Sequence, residues 1–380
     1  MMKRNRLAEK KISLGDYEEY YITLKGKNLS QGELRKLLQR LEGSGKKIIS
    51  VNIFGDLDKL KKFQDLSLAY PLAAVGNSAS YKNTGIESVL VQAVGGKISN
   101  FHYIFGERRC IGCCYKNKYG RFLHITVSND HNFSGEREFF EEELKETYKA
   151  IAYTLKKWKF TAMDVYRFWN YMKDISSNYK LFNNGRNHFF QNSGIRKYPA
   201  ATGVEANLLN GRKINISMEA MNPAGGKKIK IESIRSKLQC EASVYGPKFS
   251  RAKIITFSEI EIKNKIYISG TSSISLKGKS IVHKDAEENI RYVVFRVKHL
   301  LGIAGVSLSG IVSSRLYFKN KYIYNKFLKV YQKEKWNFPF NPLFANICRS
   351  ELLFEMECIA FGQAGQKKRT IRKIPTNPSK

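Results

Sequence analysis

The chain has 380 residues, 42% hydrophobic and 12% aromatic, enough for a large core and for more than one packed module. Lys and Arg number 66 against 33 acidic residues, a formal charge of +33 that admits anionic partners of any size, from a small dicarboxylate to RNA. No apolar run reaches the roughly eighteen residues of a membrane helix. Met1-Met2-Lys3-Arg4-Asn5-Arg6 runs into charged sequence without the apolar stretch of a signal peptide, so no membrane is expected and the cytoplasm is the expected location.

In chain order, Lys47–Ile53 and Phe122–Val127 have the composition of strands and are separated by Gly and Asn turns. Between them lies Cys110-Ile111-Gly112-Cys113-Cys114. A structural zinc site asks for a second Cys pair or a His pair, and none follows, so no metal is expected. The other cysteines, Cys240, Cys348 and Cys358, complete a scattered set that suits reduced thiols. From Ser134 to Lys159 the period becomes helical. Ser134 is the expected N-cap, Glu136 and Glu141-Glu142-Glu143 favour the positive end of the helix dipole, and Leu144, Tyr148, Ile151 and Leu155 form one apolar face.

Strands return after Tyr198, notably Lys253–Phe257 and Lys265–Gly270, and a second helix is expected from Asp285 to Leu301, with Ile290, Val293, Val294, Val297 and Leu301 on one side. This order predicts an α+β protein of two similar modules, each a mixed sheet with long helices packed on one face. The expected divisions are an N-terminal module over 1–133, a C-terminal module over 134–365 that includes the linking helix, and a basic tail over 366–380. The basic residues are otherwise scattered, with the densest run, Gln366–Lys373, in the tail. A single-stranded nucleic-acid site needs clustered cations interleaved with exposed aromatics, which the linear sequence does not show, so nucleic acid is not an expected partner.

Near the C-terminus Leu353-Phe354-Glu355-Met356-Glu357-Cys358-Ile359-Ala360 reads as a strand. Alternate side chains share a face, so Glu355 and Glu357 point one way and Phe354, Met356 and Cys358 the other. The acid face is either solvated or the wall of a pocket. Four upstream stretches carry residue types unusual for plain scaffolding. They are Phe168-Trp169-Asn170-Tyr171 with Tyr179 and Phe182-Asn183-Asn184-Gly185-Arg186; Arg196 through Tyr198-Pro199 to Thr202-Gly203; Gln239 through Tyr245-Gly246-Pro247 to Phe249-Ser250-Arg251; and Ile268-Ser269-Gly270-Thr271-Ser272-Ser273-Ile274.

Taken singly, each has a structural and a functional reading. Arg186 after Gly185 at a turn reaches a ligand or makes a surface or inter-module ion pair, and Arg251 on its own suits a structural ion pair. Tyr198, extended before Pro199, on its own suits a core tyrosine. Gly203 and Gly270 permit close backbone approach, and the Thr202 and Thr271 hydroxyls either bond a carboxylate or serve turns.

Together with Cys348-Arg349 and the Glu355 strand, these stretches resemble the chorismatase family in order and spacing, densely from about Phe139 to Phe361 and weakly before. The resemblance implies a RidA/YjgF-like fold within one chain, an active site between modules, and chorismate as substrate, with no cofactor. It implies Glu355 as the proton donor to the enolpyruvyl ether. Cys348 aligns the chain with the branch forming 3-hydroxybenzoate and pyruvate, rather than the branch that hydrolyses chorismate to a dihydroxycyclohexadiene carboxylate. Arg186, Tyr198, Thr202, Gly203, Arg251, Gly270, Thr271 and Lys319 are the implied substrate contacts. Lys319 stands where the family tends to have arginine, Ser272 fits neither branch, and Gly278-Lys279 replaces a usual Gly-His before His283. A RidA-like binding protein without activity is the alternative of a different class. A monomer is expected.

Overall fold

The computed structural model describes residues 6–81, 84–127, 140–225, 229–258 and 260–363. Its elements repeat one plan three times. The first unit runs β1 (Arg6–Leu14), β2 (Tyr17–Gly26), α1 (Gln31–Gly43), β3 (Lys47–Gly55), α2 (Leu57–Leu60), β4 (Leu72–Gly76) and β5 (Glu87–Gly96). The second runs β6 (Ser99–Glu107), β7 (Cys110–Asn117), β8 (Gly120–Val127), α3 (Phe140–Lys157), β9 (Val165–Met172), α4 (Ile175–Asn192), β10 (Ala200–Glu205), β11 (Asn207–Leu208) and β12 (Ile214–Pro223). The third runs β13 (Ile229–Ile234), β14 (Ala252–Phe257), β15 (Ile262–Thr271), α5 (Ala286–Ile303), β16 (Ile311–Phe318), α6 (Lys321–Lys333), β17 (Asn341–Phe344) and β18 (Phe354–Gln363).

The three sheets have the orders β1-β2-β5-β3-β4-β11, β10-β9-β12-β8-β7-β6 and β13-β14-β15-β18-β16-β17. Within each, one parallel pair is joined through a helical crossover (β3 with β4, β9 with β10, β16 with β17), as parallel strands require. The last long strand of each unit lies centrally: β5, β12 and β18. β11 extends the first sheet by pairing with β4 and so ties the second unit to the first.

Each sheet carries buried side chains on both faces because it is covered twice. Outward side chains pack under the unit's own helices: Phe354, Met356 and Ala360 of β18 meet Ile290, Val294 and Val297 of α5. Inward side chains of all three sheets meet in a central cluster that includes Tyr17, Tyr21, Tyr115, Tyr166, Tyr267, Tyr317 and Phe361. Those phenols carry polar groups into the centre, where buried carboxylates take them up. Tyr166 and Tyr267 both donate to Glu219 Oε2, at 2.9 and 2.8 Å. Lys265 Nζ of the third unit sits 2.7 Å from Glu19 Oε2 of the first.

The expected α+β class, with mixed sheets and long helices on one face, is the observed one, but the expected two modules are corrected to three, since the strands on either side of α3 and those after Pro223 close into separate sheets. Helix α5 begins as anticipated, its N-cap Asp285 accepting from Glu288 N. Helix α3 buries Leu144, Tyr148, Ile151 and Leu155 as expected, while Ser134 and Glu136 lie outside the described residues. The expected division near residue 133 also falls outside them, and β8 before it pairs along its length with β12 after it. The basic tail is likewise not among the described residues.

Candidate active site

Strand β18 places its acids at the junction of the second and third units. Glu355 is opposite Tyr317 and Glu357 opposite Arg315 on β16, with both carboxyl groups directed toward β10 of the second unit. The two sheets approach closely at that junction. Ser250 and Ala200 form a bridge, Ala201 N donates to Ser269 Oγ at 3.0 Å, and Gly270 N donates to Thr202 Oγ1 at 2.9 Å. Gly270 is required by contact rather than by backbone angle: a Cβ there would run into the Glu355 carboxyl and the Thr202 methyl.

The two glutamates have opposite environments. Glu357 is held by Arg167, by Arg315 Nη1 at 3.0 Å, by Trp169 Nε1 at 2.9 Å, by Tyr317 Oη at 3.0 Å and by the Thr202 hydroxyl. Burial acts to raise its carboxyl, but the two guanidinium groups outweigh that and hold it below the usual range. Glu355 is only 6% exposed, and among the described residues no hydrogen bond or ion pair engages its carboxylate. Burial, with the nearby Glu357 charge adding to it, pushes the Glu355 carboxyl up to about 8 against the weaker opposing pull of Arg251 and Arg167.

Glu355 opens into a cavity of about 390 Å³, within the range of small-molecule sites. Helix α4 forms one wall and the segment from Gln239 to Arg251 another. Arg186 on α4 is 3% exposed; one Nη donates to Asn183 Oδ1 at 2.6 Å, while its Nε has no partner among the described residues. Gln239 is 2% exposed and both atoms of its amide lack partners among the described residues. Arg251 is already committed, donating to the Cys240 carbonyl and, at 2.8 Å, to Tyr245 Oη. Arg349 donates to the Gly278 carbonyl at 2.8 Å and stacks near Tyr245. Burial, with the Glu355 charge adding to it, pushes the Cys348 thiol up to about 12, so it faces the cavity as a neutral thiol.

The family model described as "Chorismatase FkbO/Hyg5-like, N-terminal" matches residues 108–214, which is most of the second unit. Residues 108–214 are thus similar to the N-terminal domain of chorismatases. A crystal structure titled as a chorismatase superposes with a TM-score of 0.61 over 82% of this chain and 92% of its own, at 18% identity, so the chorismatase fold extends through all three units. Shorter structures align with about a third of the chain. Yeast Mmf1 covers 35% of it and 100% of its own length at 19% identity and a TM-score of 0.28, and the YjgF product of E. coli covers 34% and 97% at 19% and 0.27. No curated protein matches the chain.

Of the residues that the sequence pointed to, this chorismatase-type architecture brings seven to the cavity: Glu355, Cys348, Arg186, Thr202, Gly203, Arg251 and Gly270. Three lie elsewhere. The Thr271 hydroxyl is fully buried and donates to the Ser269 carbonyl, because the strand's alternation turns it away from Glu355. Tyr198 stacks on Phe190 at 5.9 Å, and its carbonyl accepts from Ser250 Oγ, beside the cavity rather than in its wall. Lys319 Nζ donates to the Ser350 carbonyl and so fixes the segment leading into β18 without reaching the cavity. Thr202 lines the cavity, but its hydroxyl is taken up by Glu357, Arg167 and Gly270 N. Arg186 is not at a turn. It is inside α4, where Gly185 serves packing, since a Cβ would strike Leu144 of α3.

Sequence reasoning left Gln239, Asn183 and Asn187 without a role, although Gln239 and Asn183 lie in the stretches it singled out. For Gln239 and Asn187 the signal is a side-chain atom buried without a partner among the described residues, and for Asn183 it is the bond that its Oδ1 accepts from Arg186 in the cavity wall; both signals need the fold. Ser273, His283 and Glu288 stand in hydrolase-like order, with Ser273 Oγ 3.1 Å from His283 Nε2. The serine is fully buried, accepts from Asn289 and does not face the cavity, so the three brace the 270s loop.

Proposed function

We propose that the protein is a chorismatase that converts chorismate to 3-hydroxybenzoate and pyruvate, with Glu355 as the acid that starts the reaction. The observation that carries this reading is Glu355 itself: a buried carboxyl open to the cavity, without a charge partner, whose pKa near 8 keeps it protonated at neutral pH. The enolpyruvyl ether of chorismate needs that proton. Transfer from the Glu355 carboxyl to the terminal methylene forms a new C–H bond and leaves an oxocarbenium ion, which the Glu355 carboxylate, now charged, faces across the cavity.

Release of pyruvate then breaks the bond between the ring carbon and the ether oxygen. In the 3-hydroxybenzoate branch the neighbouring ring hydroxyl gives its proton to the Glu355 carboxylate as it closes on that carbon in an epoxide-like intermediate; opening of the epoxide takes that proton back on oxygen, and loss of a ring C–H proton to the carboxylate restores Glu355 as the acid while the ring becomes aromatic. Substrate and products have the same atoms, so no water is consumed. The neutral Cys348 thiol fits this branch, because it fills the wall beside Glu355 without offering a base to water. The Arg186 guanidinium, buried with an unpartnered Nε, is the donor best placed for a substrate carboxylate.

Incubating the purified protein with chorismate and separating the products tests the reading. Pyruvate with 3-hydroxybenzoate in equal amounts is expected. Pyruvate with the non-aromatic diol would move the protein to the hydrolytic branch, and no pyruvate above the spontaneous background would overturn the enzyme assignment.

A further inference from the structure

A second cavity, a groove of about 360 Å³, shares no lining residue with the catalytic pocket. It opens where strands β6, β7 and β8 meet the C-terminal end of α3. The fold gathers there what the linear sequence keeps apart: Lys116 and Arg121, paired across β7 and β8, beside Lys157, Trp158 and Lys159 at the end of the helix, with His102 from β6. Lys116 and Lys159 are exposed, and among the described residues no carboxylate lines the groove.

Two details of geometry fit the groove for an anion that carries a ring. The C-terminal carbonyls of α3 would repel an anion, but Arg121 donates to the carbonyls of both Trp158 and Lys159 and so neutralises that end of the helix. The Trp158 and His102 rings lie 5.8 Å apart as a pair. Trp158 Nε1 is shut away from the surface, so the part of the half-buried indole that meets the groove is ring carbon, a stacking face rather than a donor.

We propose that this groove binds a nucleotide unit, its base against Trp158 and His102 and its phosphate on Lys116 and Lys159. A small dicarboxylate would leave the aromatic pair unused. A nucleotide uses both halves, by the combination of stacking and backbone charge that single-strand sites employ, and the +33 charge of the chain draws such anions toward the surface. The nucleotide can be free or part of a strand.

Titration with ADP by calorimetry, and with a fluorescein-labelled 20-nucleotide oligoadenylate by anisotropy, separates the two sources. Binding of at least one probe is expected, weakening as salt rises. Lys116→Glu with Lys159→Glu is expected to weaken it tenfold or more, and Trp158→Ala fivefold or more, with Trp158→Phe retaining most of it and thermal melting showing each variant folded. Binding of the oligonucleotide alone would assign a strand, and binding of both a free nucleotide as well. Absence of binding by either probe would overturn the proposal. So would a folded Trp158→Ala variant that binds as wild type does while the lysine variant does not, or the reverse, because attraction of a bare polyanion needs no ring and stacking alone needs no charge.

Discussion

Glu355 and Glu357 are two residues apart on one strand face, and their chemistry is set entirely by what the second unit brings against them. Glu357 meets two guanidinium groups and three further donors; Glu355 meets a cavity. Glu355→Gln keeps the shape and removes the proton, so it is expected to lower chorismate turnover by about a hundredfold or more while the far-ultraviolet circular dichroism stays unchanged. The same change removes a group whose folded pKa lies above its unfolded one. Such a group binds more protons in the folded state, so its favourable contribution is complete below about 4.5 and is lost as pH rises toward 8. Thermal melting of the Gln variant near pH 8 is therefore expected to exceed that of the wild type, and the gap to close in acid. Activity follows the same titration, since the acid must be protonated: kcat/KM should hold level below pH 8 and fall above it. Glu357→Gln takes away the neighbouring negative charge, moves this descent to lower pH, and destabilises the fold by about 3–5 kcal/mol through two unpaired buried guanidinium groups. That the two acids share a face was legible from the period of two, and the likeness to chorismatases singled out Glu355. The arginines opposite were not legible: Arg167 sits 190 residues away, and although it directly precedes the Phe168-Trp169-Asn170-Tyr171 stretch, nothing in that stretch tells which strand of another unit it will face.

At the scale of elements, two glycines decide how closely the walls of the pocket approach. Gly270 lies on β15, where a Cβ would meet the Glu355 carboxyl and the Thr202 methyl, while its backbone angles leave alanine unstrained. Gly270→Ala is thus expected to fold, with kcat reduced at least tenfold because the carboxyl must swing off its line. Steady-state kinetics alongside a urea melt checks this, and unaltered kcat would show that Glu355 can act from another rotamer. Gly185 does the same work for α4, which leans on Leu144 of α3 at that point. The segment around Gly185 has Asn and Gly in numbers that argue for a turn, and the helix exists because Ile175, Phe182, Phe189 and Phe190 bury against the second sheet. Tertiary packing overrode propensity there. Helix α6 is a different case: Ile323, Phe327 and Val330 recur at helical spacing under an Asn320 cap, so that element was readable in the sequence.

The described residues form three similar units with no evident sequence repeat between them, and the junction of the second and third carries the paired acids Glu355 and Glu357. The central strands β5, β12 and β18 occupy the same place in their sheets, yet β5 reads Glu87-Ser88-Val89-Leu90 where β18 reads Phe354-Glu355-Met356-Glu357. The repeat was not legible because the units share an arrangement of strands rather than residues, and burial on both faces erases the alternation that would reveal it. What holds the units in register is polar. Lys265 of the third unit lies 2.7 Å from Glu19 of the first, inside a cage of Tyr17, Tyr21 and Tyr267. An ion pair so buried contributes little over a well-packed apolar pair, but loss of one partner strands the other's charge. Lys265→Met should therefore cost about 3–5 kcal/mol in urea denaturation, and Glu19→Gln a comparable amount. The double replacement should cost well under their sum, a coupling that a double-mutant cycle reads directly. Because this pair joins the first and third units while the pocket lies between the second and third, chorismate turnover per folded molecule should be unchanged in all three variants. Simple additivity of the two losses would mean that Lys265 and Glu19 stabilise the centre separately, and that the tyrosine cage rather than the ion pair locks the first unit to the third.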